Sequence, residues 1–242
     1  MTDKLIIALD VDEVAAARAL LGRLRGYAGM FKIGSQLFTN AGPEFVREVV
    51  AAGGRVFLDL KFHDIPNTVA GACRAAVRLG VTLFNVHAAG GGEMLRRAAE
   101  ATAEEAARLG VARPRLIAVT VLTSSDAATL REVGVADAPA AQVTRLARLA
   151  AECGLDGVVA SPHEIGAVRE TVARPDFIVV TPGVRPRTTA HDDQKRVLTP
   201  AAAVRAGADY LVVGRAILNA ADPLRAAEEI AAEMEAEMKA KP

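Results

Sequence analysis

The chain alternates eight times between a short apolar run and a longer polar stretch, and this alternation restricts the possible folds more than any other feature. The short runs are uniformly apolar instead of alternating between apolar and polar positions. This pattern is typical of parallel strands that are covered on both faces. The eight predicted strands are Leu5–Leu9, Met30–Ile33, Arg55–Leu60, Val81–Val86, Leu116–Leu122, Gly157–Ala160, Phe177–Thr181 and Tyr210–Val213.

The stretches between the strands have apolar residues at helical spacing and end near a glycine or a polar break. The predicted helices are Val14–Leu24, Pro43–Ala52, Thr68–Leu79, Gly92–Leu109, Ala140–Glu152, Pro162–Val172 and a charged final helix, Ala227–Lys241. Eight strand–helix units in 242 residues predict one (β/α)8 TIM barrel, a single domain over residues 1–242. The alternative is a doubly wound open sheet, but no strand is followed by the Gly-x-Gly-x-x-Gly turn of a dinucleotide site.

Composition narrows the class of partner. The 29 basic and 29 acidic side chains cancel, so the chain lacks the basic excess of a nucleic-acid-binding surface. No apolar run approaches the roughly 18 residues that cross a bilayer, and the N-terminus lacks the pattern of a signal peptide. Cys73 and Cys153 are far apart, as expected for free thiols in a reducing compartment. We therefore expect a cytoplasmic protein that binds neither nucleic acid nor membrane.

Charged residues collect where the third predicted strand ends. Asp59 and Lys61 are two positions apart, so a regular strand would project them from the same face, and Asp64 follows just beyond. Because buried charges are costly unless they are paired, packing alone does not explain them on a core-directed strand. The alternative is a solvated Asp/Lys ladder on an edge strand.

Polar residues also lie late in the other predicted strands or just beyond them, at the end of the barrel where TIM-barrel active sites lie. They are Asp10, Lys32, Asn85, His87, Thr120, Thr123, Ser161, His163, Thr181, Gly214 and Arg215. At Gly214 and Arg215 a strand leads into a helix, whose first N–H groups and dipole favour an anion. Together with the polar loop Arg185–Gln194, this pair predicts a phosphate site; the alternative is a glycine turn with a surface arginine.

Other common catalytic arrangements lack support in the sequence. The four histidines, His63, His87, His163 and His191, show no metal-ligand spacing, so each is predicted to be a hydrogen-bonded structural or pocket-lining residue instead of a metal ligand. Ser161 and Cys153 have no identifiable base partner, which argues against a serine or cysteine nucleophile. The segment Gly183–Leu198 is long and polar for a connection, and we predict that it is a lid ordered by phosphate.

Seven motifs spread along the chain are informative when they are taken together. They are Ala8-Leu9-Asp10, Phe31-Lys32-Ile33-Gly34, Asp59-Leu60-Lys61-Phe62-His63-Asp64-Ile65-Pro66-Asn67-Thr68, Val121-Leu122-Thr123-Ser124, Thr181-Pro182-Gly183-Val184-Arg185-Pro186, Asp193-Gln194 and Val213-Gly214-Arg215. With these motifs the chain resembles the bacterial type of the orotidine 5′-phosphate decarboxylase family over nearly its whole length. The Asp-x-Lys-x-x-Asp core alone is shared with other decarboxylases and aldolases of the superfamily, whereas its extended form is far more specific.

This resemblance implies decarboxylation of orotidine 5′-monophosphate (OMP) to UMP in pyrimidine biosynthesis, without cofactor or metal, by a homodimer whose sites are shared between subunits. It also implies the roles of individual residues. Lys61 corresponds to the proton donor in a charge network with Lys32, Asp59 and Asp64, in which Asp64 serves the site of the other subunit. Asp10, Lys32 and the partner's Thr68 would contact the ribose, Thr123 with its neighbour Ser124 would lie beside the pyrimidine, and Arg185, Gln194, Gly214 and Arg215 would hold the phosphate.

Elementary chemistry agrees with this assignment. Loss of CO₂ from C6 leaves a carbanion with little delocalisation, and a fixed ammonium beside C6 both stabilises that charge and delivers a proton. Three alternatives remain open at this stage. They are an aldolase that forms a Schiff base on Lys61, a metal-dependent sugar-phosphate enzyme such as a hexulose-phosphate synthase or keto-gulonate-phosphate decarboxylase, and a phospholigand-binding barrel without activity.

Overall fold

Eight parallel strands close into a barrel in the computed structural model, which describes residues 3–185 and 198–240. Each strand pairs with the next along the chain, and the eighth pairs with the first. The predicted TIM barrel is therefore confirmed, and the open sheet is wrong. The strands are β1 Leu5–Ala8, β2 Met30–Gly34, β3 Val56–Phe62, β4 Leu83–His87, β5 Arg115–Val119, β6 Gly157–Val159, β7 Ile178–Pro182 and β8 Tyr210–Val213.

Ten helices surround the barrel in the described part of the chain. They are α1 Val14–Leu24, α2 Ser35–Ala51, α3 Pro66–Arg78, α4 Gly91–Leu109, α5 Ala127–Glu132, α6 Pro139–Glu152, α7 Ile165–Thr171, α8 Pro200–Ala206, α9 Arg215–Leu218 and α10 Pro223–Ala240. Helix α2 begins eight residues before the prediction, because Pro43 follows a kink at Gly42 (φ 67°) and is not the true helix start. None of these helices is long and apolar enough to span a bilayer.

Apolar side chains fill both faces of the strands. One cluster lies inside the barrel and includes Ile6, Met30, Phe57, Leu83 and Val212. A second and larger cluster packs the outer strand faces, including Leu5 and Ile7, against the helices. Because neighbouring residues on a strand enter different cores, the strands have no polar face, which explains their unbroken apolar runs.

A carboxylate clamp joins two strands at their N-terminal ends, away from the predicted site. Asp156, which directly precedes β6, accepts a hydrogen bond from the Leu116 N–H of β5 at 2.7 Å. Its carboxylate also contacts the Arg113 guanidinium at 3.0 Å and that of Arg115 at 3.2 Å. These contacts provide hydrogen-bond partners for a nearly buried carboxylate, so this clamp stabilises the barrel at the N-terminal ends of β5 and β6.

Candidate active site

Alternating charges connect the ends of the first three strands. The Lys32 ammonium lies 2.8 Å from Asp10 Oδ1 and 3.4 Å from Asp59 Oδ2. The other oxygen of Asp59, Oδ1, lies 2.7 Å from the Lys61 ammonium. The structure thus brings together Asp10, Lys32, Asp59 and Lys61 in a single row across β1, β2 and β3. The solvated edge ladder is wrong, because a closed barrel has no edge strand and Asp59 is largely buried.

The close approach of Asp59 and Lys61 does not come from regular strand alternation. The register of β3 against β4 shifts between Leu58 and Phe62, and Lys61 adopts a positive φ of 52°. This conformation is uncommon for a non-glycine residue and marks a bulge. The prediction of contact is therefore confirmed, while the regular strand geometry assumed for it is wrong.

Asn85 of β4 forms hydrogen bonds with two members of the charged row. Its side-chain amide donates a hydrogen bond to Asp59 Oδ1 at 2.7 Å, and its carbonyl oxygen accepts one from the Lys61 N–H at 2.8 Å. The sequence placed Asn85 at a strand end but did not predict these contacts. The available signal was its position on the strand next to β3.

The surroundings of Asp59 favour its ionised form. Burial alone would raise the pKa of this carboxyl, but the Lys32 and Lys61 ammonium groups, with hydrogen bonds from Lys61 and Asn85, lower the pKa below its ordinary value. Since the folded-state pKa is depressed, the stabilising contribution of Asp59 is present above its ordinary pKa near 3.8 and is lost as the pH falls further. The carboxylate is therefore anionic at neutral pH.

His87 follows Asn85 and contacts the same region. Its ring lies 5.5 Å from that of His63, centroid to centroid. Burial, with smaller contributions from His63 and Lys61, lowers the pKa of His87 below its ordinary value of 6.5. Protonation of His87 therefore costs more in the folded protein than in the unfolded chain.

We predict that His87 destabilises the fold in mild acid. The stability associated with neutral His87 is complete above about pH 6.5 and is lost as the pH falls toward the lower folded-state pKa. In thermal unfolding between pH 7.5 and 5.5, His87→Gln should lose less Tm than the native protein. His163→Gln, which changes an exposed histidine, should retain the native pH dependence. Equal slopes for native protein and His87→Gln would contradict this assignment.

Two adjoining cavities open beside the charged row. The first is lined by polar and charged groups that include Asp10, Lys32, Arg185, Gly214 and Arg215. The second is mostly apolar, with Phe57, Val119, Val121, Leu122, Thr123, Val159 and Ala160 around Asp59 and Lys61. Lys32, Pro182 and Val212 line both cavities. The pair can therefore hold one ligand with an anionic end and a flat, weakly polar end.

The residues predicted to bind phosphate meet at one cavity, but one reason given for that prediction is wrong. Gly214 and Arg215 line the first cavity together with Arg185, as the sequence indicated. Helix α9 contains only four residues, Arg215–Leu218, so its dipole is too short to contribute much. The groups suited to an anion are instead the side-chain cations Arg185 and Arg215, because Lys32 is already paired with Asp10 and Asp59.

The remaining predicted residues lie outside these cavities or outside the described residues. Asp64 is exposed on the loop after β3, and its carboxylate accepts a hydrogen bond from the Ile65 N–H at 2.6 Å. Thr68 is exposed on α3. Gln194 lies outside the described residues, as does most of the predicted lid, whose flanking residues Val184 and Leu198 pair in a parallel bridge. No group of three potential metal ligands occurs within residues 3–185 and 198–240.

Comparisons with known proteins agree with one another. A sequence profile of the orotidine 5′-phosphate decarboxylase / HUMPS family matches residues 3–230. The orotidine 5′-phosphate decarboxylase of Moorella thermoacetica is 61% identical over 234 residues, covering 96% of this chain and 92% of that protein. The Pelobacter propionicus protein of the same name is 56% identical, covering 96% and 95%. The crystal structure of the Lactobacillus acidophilus orotidine 5′-phosphate decarboxylase superposes with a TM-score of 0.83 at 38% identity, covering 95% of this chain and 98% of that one.

Proposed function

The chain belongs to the orotidine 5′-phosphate decarboxylase / HUMPS family, and from that premise we propose that it decarboxylates OMP to UMP in pyrimidine biosynthesis. The observation that carries the proposal is the position of the Lys61–Asp59 ion pair. It lies in the wall of an apolar cavity that adjoins a cationic one. OMP has the matching shape: a pyrimidine with a carboxylate at C6, joined through ribose to a phosphate.

In the proposed complex the phosphate lies against Arg185 and Arg215, and the pyrimidine occupies the apolar cavity near Thr123. Asp10 and Lys32 contact the ribose between them. This orientation directs C6 toward Lys61. Binding energy from the distant phosphate then serves to orient the reacting ring. Gln194 and the partner's Thr68 are proposed to complete the phosphate and ribose contacts.

The chemistry in this proposal is electrostatic. The C6–CO₂ bond breaks, its electron pair remains on C6, and the Lys61 ammonium stabilises that charge before giving C6 a proton. Asp59 has two effects: it is the counter-ion that holds the Lys61 ammonium in place, and its negative charge lies near the substrate carboxylate that is lost as CO₂. No step in this sequence requires a metal or an organic cofactor.

Two other reactions would place different requirements on the site. An aldolase would need Lys61 as a neutral amine for Schiff-base formation, whereas the Lys61 nitrogen lies in an ion pair with the Asp59 carboxylate. A sugar-phosphate enzyme of the metal-dependent kind would need a divalent cation.

A substrate comparison tests the proposal. The purified protein should convert OMP to UMP, identified by chromatography, and should leave hexulose and keto-gulonate phosphates unchanged with or without Mg²⁺. Borohydride should trap no adduct on Lys61. Turnover of a sugar phosphate instead of OMP, a trapped adduct, or UMP binding without turnover would each contradict it.

We predict that Arg215→Ala weakens phosphate binding. Loss of a charge-assisted hydrogen bond should raise KM for OMP about tenfold to a hundredfold. Orotidine, which lacks the phosphate, should be turned over equally by the variant and the native protein. Arg225→Ala, which removes an exposed arginine of α10 paired with Glu229, is the matched control and should leave both substrates unaffected. An equal loss with OMP and orotidine would contradict a phosphate-binding role.

We also propose that the protein is a cytoplasmic homodimer. The exposed position of Asp64, beside Ile65 with a relative exposure of 67%, supports a surface that meets the partner subunit. In this arrangement the partner's Asp64 approaches Lys61 from the side opposite Asp59. The ammonium would then lie between two carboxylates.

A further inference from the structure

We propose that Asn85 is a positioning residue for this site, holding both the Lys61 backbone and the Asp59 carboxylate through one side-chain amide. The inference rests on the proposed function for its kinetic consequences. The two hydrogen bonds of the Asn85 amide are observed directly and do not depend on that function. Asn85 has a relative exposure of only 1%, and both of its polar atoms have a partner in the charged row.

The bulge in β3 creates the need for such a residue. Leu58 pairs with Phe84 and Phe62 pairs with Val86, so three residues of β3 lie opposite the single residue Asn85. The regular backbone ladder is interrupted at this point. The Lys61 N–H donates instead to Asn85 Oδ1 at 2.8 Å, so the Asn85 side chain takes the place of a backbone acceptor.

The same contact fixes the orientation of the amide. Because Oδ1 must face the Lys61 N–H, the NH₂ group must face Asp59, and it lies 2.7 Å from Asp59 Oδ1. That carboxylate oxygen also receives the Lys61 ammonium at 2.7 Å. A single amide therefore sets the backbone conformation that carries Lys61 and the position of its counter-ion.

An uncharged amide meets both requirements on two separate atoms. It offers an acceptor to the backbone N–H and a donor to the carboxylate. Aspartate at this position would keep the acceptor but present a second anion to Asp59. Lys32 and Lys61 contact Asp59 directly, Asp10 pairs with Lys32, and His87 lies two residues further along β4. One proton shared by the two carboxylates would titrate under the combined influence of these groups.

Two variants separate the two contacts. Asn85→Ala removes both, and Asn85→Asp removes only the donor to Asp59. We expect both variants to lower kcat about tenfold to a hundredfold while KM changes less than about threefold, because placement of the reacting groups is lost and phosphate binding is not. For Asn85→Asp, kcat should recover partly as the pH is lowered, since a proton restores a donor toward Asp59. The native protein should show no such rise in kcat as the pH is lowered.

The control is Asp156→Asn, the reverse exchange of amide and carboxylate in the clamp at the other end of the barrel. Asp156 also accepts a backbone N–H from the adjacent strand, so this variant should lower Tm while kcat and its pH profile stay native. Asn85→Ala with kcat within threefold of native, or variants that lose no more kcat than Asp156→Asn, would overturn the proposal.

A second readout does not depend on turnover. The chain has six lysines, so labelling with [¹⁵N]lysine gives a short set of amide signals that includes Lys61. Exchange of the Lys61 amide should accelerate at least about tenfold in Asn85→Ala and stay near native in Asn85→Asp, which keeps the acceptor. Unchanged exchange of the Lys61 amide in Asn85→Ala would show that the Asn85 side chain does not hold the Lys61 N–H. Failure of the native protein to turn over OMP would instead refute the proposed function alone.

Discussion

Lys61→Ala is expected to lower kcat for OMP by about 10⁵-fold or more, because one ammonium supplies both charge stabilisation and the proton. The fold should survive. The Lys61 side chain is about one-third exposed, and Asp59 retains Lys32 and Asn85 as partners after the change. Alanine is also no more strained than lysine at φ 52°. Steady-state kinetics and thermal unfolding of the same preparation test both statements.

Lys239→Ala is the matched control for this variant. It removes an ammonium from the exposed last turn of α10 and should leave kcat and KM native. A folded Lys61→Ala protein with kcat within tenfold of native would refute the mechanism. Loss of folded protein in Lys61→Ala alone would assign the residue a structural role, which contradicts its position in the cavity wall.

The second large effect concerns Asp64. Asp64→Ala is expected to be nearly inactive, since the partner's ammonium loses one of its two proposed carboxylates. Mixing it with inactive Lys61→Ala should restore activity, because a heterodimer has one site with native Lys61 and native Asp64. Random exchange of equal amounts makes half of the dimers mixed, so the recovered activity should be about one quarter of native.

The control for this experiment is each inactive variant alone, incubated under the same exchange conditions, which should stay inactive. Subunit exchange is confirmed independently with differently tagged chains. If Asp64 acted within its own subunit, both sites of the heterodimer would be defective, and no activity would return. That result would contradict the shared sites and leave the Lys61 prediction intact.

Sequence patterns predicted the barrel well because parallel strands buried on both faces produce uninterrupted apolar runs. All eight strands lie within three residues of their predicted bounds. The short helices α5 and α8 were missed because six or seven residues give too few turns for a helical period to emerge. The first half of α2 was also missed, because Pro43, which follows the kink at Gly42, is typical of a helix start but lies inside this helix.

The site was predictable in part. Asp10, Lys32 and Asp59 meet because the carboxyl ends of adjacent parallel strands converge, which follows from the strand order. Lys61 joins them through the bulge in β3, which the sequence did not predict. The role of Asn85 was not predictable, because it depends on a bulge that leaves no periodic signal. The proposed place of Asp64 against a second subunit comes from the family resemblance alone, because spacing within one chain does not predict a contact between two chains.

OMP turnover after exhaustive treatment with a metal chelator tests the central claim most directly. The native protein should deplete OMP absorbance and form UMP at the same rate with and without chelator, while Lys61→Ala assayed in parallel should form none. Loss of native activity with the chelator, restored by a divalent cation, would contradict the account. Sustained turnover by Lys61→Ala would contradict it equally.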